Sequence, residues 1–228
     1  MRLLTIATAA LLTVSAGWAG EKKDIDIKAA DGVTLKATYF SAGKAGPAMI
    51  LLHQCNMDRH AWDGLAKDLS DAGFNVLTFD ARGFGDTGGA RAQDKSAGDV
   101  DAAYAYLISQ KDVDKTRVAA GGASCGVTQA SDLATRHHEV KALMLLSGQA
   151  SPAAKAYITE TPAIPVFGAA SEGDTGAAAG IKDATGASKN PKTTLKIYPG
   201  SEHGVPMFAK NAELEPMIVS WLKVQVGK

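Results

Sequence analysis

Continuous apolar runs alternate with amphipathic segments along most of this chain, and this alternation constrains the fold more than any other feature. A strand that is covered on both faces has an uninterrupted apolar sequence, whereas an amphipathic helix has apolar residues at helical spacing. The apolar runs are 48–53, 74–80, 117–122, 141–148, 164–170 and 193–200. The helical segments are 58–73, 97–110, 125–138, 174–187 and 207–225. Strands that alternate with helices predict a mostly parallel sheet with helices on both faces.

The segment before the first of these runs has a different pattern. Residues 24–40, DIDIKAADGVTLKATYF, alternate between polar and apolar around Asp31-Gly32, which predicts an antiparallel hairpin. With this hairpin the sheet has about eight strands. The chain has 228 residues, of which 46% are hydrophobic, so it can bury one substantial core. Because no repeat or biased linker divides the sequence, we expect one α/β domain over residues 20–228.

The charge composition argues against polyanionic partners. The chain has 24 Lys and Arg and 24 Asp and Glu, so its formal net charge is zero. Proteins that bind nucleic acid or an anionic membrane surface usually carry an excess of basic residues in a patch or tail. We therefore expect neither of these as the main partner.

The first residues have the features of an export signal. The sequence MRLLTIATAALLTVSAGWAG contains one basic residue, an apolar run from Leu3 to Val14 and a small-x-small pattern before Gly20. This predicts a secretory signal peptide, residues 1–19, that is cleaved after Ala19 and leaves a periplasmic or secreted protein without stable membrane insertion. In an oxidising compartment the two cysteines of the chain, Cys55 and Cys125, could form a disulfide.

The stretch GASCG lies between a buried-type strand and a helical segment and contains two possible nucleophiles, Ser124 and Cys125. A nucleophile at a sharp strand-to-helix turn needs small residues two positions before and after it, because the backbone is crowded there. Gly122 and Gly126 fulfil this requirement for Ser124. For Cys125 the corresponding positions include Val127, which is too large. Ser124 is therefore the predicted nucleophile.

A serine nucleophile needs a general base that is oriented by an acid. Asp174 follows the run 164–170, and His203 follows the run 193–200, so the order along the chain is Ser, Asp, His, as this motif requires. We predict His203 as the base and Asp174 as the acid, with Glu172 as the alternative acid. No spacing of His, Asp or Glu indicates a metal site, and we expect no cofactor.

Five stretches of this sequence, in this order, are similar to motifs of the α/β-hydrolase family, and most closely of its small dienelactone-hydrolase-like members. They are ILLHQCNMDRHAW, FDARGFGDTGG, GASCG, SEGD and EHG. The resemblance covers the chain from about Asp24 onward. It implies an α/β-hydrolase fold without a large lid, and hydrolysis of a small-molecule ester or a related acyl bond through an acyl-serine intermediate. Dienelactone hydrolases have Cys as the nucleophile where this chain has Ser124, so their lactone substrate does not carry over.

The resemblance also implies where the oxyanion would bind. The two N–H donors correspond to Cys125 and to Cys55, with Gln54 as the alternative to Cys55. Both cysteines would then flank one small oxygen-binding site, within the range of a disulfide. We therefore predict a Cys55–Cys125 disulfide that fixes the oxyanion hole, the alternative being two unpaired cysteines that line the pocket.

Other functions remain compatible with the sequence. A peptidase or a thioesterase could use the same three residues, because they define the reaction class better than the leaving group. A binding protein could also keep the fold without catalysis. The loop FDARGFGDTGG is expected to be structural, with Arg82 anchoring it through ion pairs.

Overall fold

The computed structural model describes residues 20–227, so the predicted signal peptide lies outside the described residues. An eight-stranded sheet in the order β1-β2-β4-β3-β5-β6-β7-β8 forms its centre. The strands are β1 (Lys22–Lys28), β2 (Thr34–Phe40), β3 (Gly46–Leu52), β4 (Asn75–Phe79), β5 (Val113–Ala123), β6 (Val140–Leu146), β7 (Val166–Ser171) and β8 (Thr194–Tyr198). The β1–β2 and β2–β4 pairs are antiparallel, and the pairs from β4 through β8 are parallel. The predicted hairpin and parallel sheet are confirmed.

Seven α-helices cover this sheet within the described residues. They are α1 (Asp63–Asp71), α2 (Ser96–Ser109), α3 (Cys125–Arg136), α4 (Pro152–Glu160), α5 (Thr175–Ala187), α6 (Met207–Lys210) and α7 (Leu214–Val226). Short 3₁₀ turns occupy Arg59–Trp62, Gly85–Thr87 and Gln93–Lys95. No helix in the described part of the chain is long and apolar enough to cross a membrane.

Two predicted helices differ from the structure. The segment 58–73 begins as the 3₁₀ turn at Arg59, because the Asp58 side chain accepts from the His60 N–H and Asp80 accepts from the Arg59 N–H. The prediction of one helix over 207–225 is wrong, since the chain leaves the helix after Lys210. The side-chain amide of Asn211 donates to the Met207 carbonyl at 2.9 Å, the same carbonyl that accepts the last helical backbone bond from the Asn211 N–H. Such side-chain bonds to the local backbone compete with helix continuation.

Alternation along the strands divides the core into two apolar layers. In β3, Ala48, Ile50 and Leu52 pack in one layer, and Met49 and Leu51 pack in the other. The first layer includes apolar side chains of α2, α3, α4 and α5, and the second includes those of α1, α6 and α7. Because β3, β5, β7 and β8 run parallel, the loops after them meet at one edge of the sheet. These loops carry the predicted site residues.

Candidate active site

Ser124 lies at the centre of a sharp turn between β5 and α3. Its backbone has φ 54° and ψ −119°, a strained conformation for a residue with a side chain. A Cβ on Gly122 would collide with the Gly126 carbonyl, and a Cβ on Gly126 would collide with the Leu52 carbonyl. The sharp turn expected from the glycine spacing is therefore present, and its centre is Ser124.

His203 and Asp174 contact each other between the loop after β8 and the loop after β7. The distance between His203 Nδ1 and Asp174 Oδ2 is 2.6 Å. Asp174 is half-buried just before α5, whereas Glu172 is exposed and its backbone N–H donates to the Tyr198 carbonyl. A proton on Nδ1 that is donated to the carboxylate leaves Nε2 free to accept a proton. Of the two predicted acids, Asp174 is the one that the fold brings to the histidine.

Backbone and hydroxyl hydrogen bonds join the loop after β7, which carries Asp174, to the loop after β8, which carries His203. The Gly173 N–H donates to the Gly200 carbonyl at 2.8 Å, and the Ser171 hydroxyl donates to the Glu202 carbonyl at 2.7 Å. Ser171 is fully buried at the end of β7, so this contact is shielded from water. The turn that presents Asp174 and the loop that presents His203 are thus joined by two contacts between residues that precede Asp174 and His203.

A disulfide joins Cys55 and Cys125, with their Cα atoms 5.9 Å apart, and the predicted bridge is confirmed. Cys55 is exposed in the loop after β3, and Cys125 is the first residue of α3. The N–H groups in the first turn of a helix have no partner within the helix and point outward from its N-terminus. The bridge therefore holds the loop of Gln54 and Cys55 against the positive end of α3, directly after Ser124.

The His53 side chain holds the start of the loop after β3 in place by hydrogen bonds, a role that the sequence did not indicate. Its ring is 5% exposed, with Nδ1 2.9 Å from the Gln54 carbonyl and Nε2 3.1 Å from the Ala81 backbone nitrogen. A neutral imidazole satisfies both contacts, donating from Nδ1 and accepting at Nε2. Burial lowers the pKa of His53, in agreement with a neutral ring. His53 is consequently a structural residue of the loop.

Buried ion pairs order the loop after β4. Arg59 and Asp80 are 4% and 0% exposed and form an ion pair, and Asp80 also accepts the Asp86 N–H at 2.8 Å. Arg82 pairs with Asp31 at 2.7 Å and with Asp99 at 2.5 Å, which confirms its predicted anchoring role. The bonded Arg82 guanidinium lowers the pKa of Asp31 to about 2. Arg59 was missed, because its partner lies 21 residues away in the sequence.

A cavity of about 400 Å³ lies beside the disulfide. Its walls include both cysteines, Phe84, Arg91, Ala97 and Thr128. The Arg91 guanidinium lies over the Phe84 ring, 4.2 Å from its centroid, and donates to the Cys55 carbonyl at 3.3 Å. The cavity therefore borders the same loop that carries the candidate oxyanion donors.

Comparison with known proteins places the chain in a family. A family model described as alpha/beta hydrolase fold matches residues 47–196, and the chain belongs to this family, as the motifs predicted. Two uncharacterized proteins from Mycobacterium tuberculosis, MT2364 and Rv2307c, are each 35% identical over 116 residues. This match covers 50% of this chain and 41% of each relative, so the chain spans less than half the length of these relatives.

Solved structures share the fold over nearly the whole chain. The Pyrococcus furiosus esterase Pf2001 has a TM-score of 0.72 and 18% identity, covering 100% of this chain and 97% of that one. The dienelactone hydrolase from Anabaena variabilis has a TM-score of 0.71 and 18% identity, covering 91% of this chain and 99% of that one. At this identity the likeness establishes the architecture, and the activity has to be argued from the site.

Proposed function

We propose that this protein is a serine hydrolase that cleaves a small carboxylic ester or a related acyl bond through an acyl-serine intermediate. The observation that carries the proposal is the 2.6 Å contact between His203 Nδ1 and Asp174 Oδ2 at the sheet edge where the strained turn presents Ser124. A nucleophile, a base and an orienting acid in this arrangement form the constellation that acyl transfer requires.

In the proposed mechanism the Ser124 hydroxyl attacks the ester carbonyl while His203 Nε2 takes its proton. Asp174 holds the ring by accepting from Nδ1 and stabilises the imidazolium that forms. Collapse of the tetrahedral intermediate breaks the ester bond, and His203 gives its proton to the leaving alcohol. A water molecule, deprotonated by His203, then attacks the acyl-serine, and His203 returns the proton to the Ser124 oxygen as the acyl–oxygen bond breaks and the carboxylic acid leaves.

The developing oxyanion would be held by backbone donors next to the disulfide. The N–H of Cys125 and that of Cys55 are the proposed pair, and the N–H of Gln54 is the alternative to Cys55. Removal of one such donor typically costs about two to three orders of magnitude in kcat. The disulfide keeps the two donor-bearing segments at a fixed separation, which supports a preformed site.

The cavity beside the disulfide is lined by Cys125, the residue after Ser124, but not by Ser124 or His203, and it has room for part of a substrate of moderate size. Its volume of about 400 Å³ lies within the usual range of small-molecule sites. The esterase and the dienelactone hydrolase that share the fold act on ester bonds, as their names state, and this favours an ester over a peptide. A panel of p-nitrophenyl esters, thioesters and peptide amides would separate these substrate classes.

We further propose that the protein is exported after cleavage behind Ala19. The disulfide supports this, because such bonds persist in oxidising compartments and are rare in the cytosol. The intact mass of the protein purified from its native host should correspond to a chain whose first residue is Gly20.

Labelling with a fluorophosphonate tests the proposed nucleophile. The wild-type protein should be labelled at Ser124, and the Ser124→Ala variant should not react. Ser201→Ala is the matched control, because Ser201 is an exposed serine near His203 and should leave labelling intact. An unlabelled wild type, or equal labelling of Ser124→Ala, would contradict the proposal.

A further inference from the structure

Gln54 is a buried polar side chain that joins two loops of the site. It is 1% exposed, and both ends of its amide are bonded. Its Oε1 accepts from the Val205 N–H at 2.9 Å, and its Nε2 donates to Asn56 Oδ1 at 2.8 Å. The first contact connects residues that are 151 positions apart in the sequence. A buried amide is favourable only when its hydrogen bonds are made, so these contacts define where the side chain lies.

The amide lies directly against the backbone that follows His203. Gly204 has φ +70°, and a Cβ at this position would collide with Gln54 Oε1. Val205, the next residue, donates its N–H to the same oxygen. The path of the chain immediately after His203 is therefore shaped by the Gln54 side chain.

The Gln54–Val205 contact joins the His203 loop to a different part of the site from the other contacts that hold this loop. Ser171 and Gly173 connect that loop to the turn that carries Asp174. Gln54 connects it instead to the loop after β3, whose next residue is Cys55 in the disulfide. Two adjacent residues thus attach the loop after β3 to the other two parts of the site. Cys55 attaches it to the turn of Ser124 by a covalent bond, and Gln54 attaches it to the loop of His203 by a hydrogen bond.

We infer that Gln54 is a positioning residue that couples the placement of the base His203 to the placement of the oxyanion donors. The inference rests on the proposed serine hydrolase function. In the transition state the proton moves to His203 while charge develops on the carbonyl oxygen, so both loops must hold their groups within a fraction of an ångström. Without the Gln54 bond, the Val205 N–H is left unpaired and the two loops move independently.

Gln54→Met tests this coupling, because Met has a similar length and cannot accept from Val205. We expect kcat to fall by about tenfold, with KM changed by less than about twofold, since Gln54 itself does not line the cavity and acts on the placement of His203. Gln54→Glu keeps an acceptor at the same place, and the Asn56 amide can rotate to donate to it, so this variant should recover most of kcat at its optimal pH. Gln110→Met, the same change at a half-buried position between α2 and β5, is the control.

Amide exchange separates this inference from the proposed function. The Val205 N–H should exchange slowly in wild type and Gln54→Glu and rapidly in Gln54→Met, whether or not the protein hydrolyses esters. If Gln54→Met does not fold, Gln54→Asn replaces it, because its shorter side chain cannot reach Val205. Wild-type kcat in a folded Met or Asn variant, or an equal loss in Gln54→Glu at every pH, would overturn the inference. Absence of Ser124-dependent labelling in wild type would instead defeat the proposed function.

Discussion

Cys55 and Cys125 form a disulfide that ties the loop after β3 to the residue directly following Ser124. The bridge closes a loop of 70 residues, and the chain-entropy model gives about 4 kcal/mol of stabilisation for a loop of this size. Because it lies at the proposed oxyanion site rather than in a remote part of the fold, it links global stability to local catalytic geometry.

Reduction of this disulfide should lower both activity and stability. Cys55 is exposed, so a small dithiol can reach its sulfur and release two thiols by exchange. We expect kcat to fall at least about tenfold, because the donor-bearing loop is no longer held at α3. The melting temperature should fall by about 8–16 °C, as a loss of about 4 kcal/mol produces in a domain of this size. Thiol titration, ester hydrolysis and thermal unfolding measure these effects together. The double variant Cys55→Ala, Cys125→Ala should behave like the reduced protein and be insensitive to the dithiol, and full activity in a protein with two free thiols would contradict the prediction.

The pairing of His203 with Asp174 predicts unequal roles for two neighbouring acids. Asp174→Asn should reduce kcat by about four orders of magnitude, because the amide favours the wrong tautomer of the imidazole. Glu172→Gln, the matched change two residues earlier, should leave kcat within about twofold. Steady-state kinetics on a p-nitrophenyl ester measures both. A larger effect at Glu172 than at Asp174 would show that the geometry described here is not the catalytic one.

Local sequence chemistry was sufficient to predict the fold and most of the candidate site. Continuous apolar runs predicted the parallel strands because β3 to β7 are covered on both faces, whereas β8 at the edge is only half-buried. The glycine spacing predicted the turn at Ser124. The sequence favoured Asp174 over Glu172 without excluding Glu172, because both residues lie in the same turn. The contact that separates them, between His203 Nδ1 and Asp174 Oδ2, involves a loop that is distant in the sequence.

Side-chain contacts between distant loops account for what the sequence did not predict. The partner of Gln54 is 151 residues away, and that of His53 is 28 residues away. Neither contact produces a periodicity or a motif in the sequence. The sequence therefore shows that Gln54 and His53 are polar, but it does not show which partners their side chains bind. The end of α6 at Asn211 was missed for a related reason, since a single side-chain bond outweighed the apolar spacing of the segment.

The cavity beside the disulfide predicts discrimination by substrate size. Ala97 is an exposed residue of α2 that lines the cavity, and Ala97→Trp would fill part of its volume. We expect kcat/KM for a long-chain p-nitrophenyl ester to fall by about tenfold, with the acetate ester changed by less than about twofold. Ala153→Trp, at an exposed position of α4, is the control for the added bulk. Equal effects on both esters would indicate that the cavity does not hold the substrate.

Neutral His53 predicts a loss of stability on acidification. Burial lowers the pKa of His53 below its usual value of 6.5, despite the opposing charges of Asp80 and Asp58. Below pH 6.5 the unfolded chain binds a proton that the folded protein does not, so the free energy of unfolding falls as the pH decreases towards the folded-state pKa. Above pH 6.5 the contribution is fully present.

The decrease in melting temperature between about pH 7.5 and about pH 5 should be a few degrees smaller in His53→Gln than in wild type. His138→Gln, the same change at an exposed histidine, is the control. If His53→Gln and wild type lost the same number of degrees, the pKa of His53 would be the same in the folded and unfolded chains, and the prediction would be contradicted.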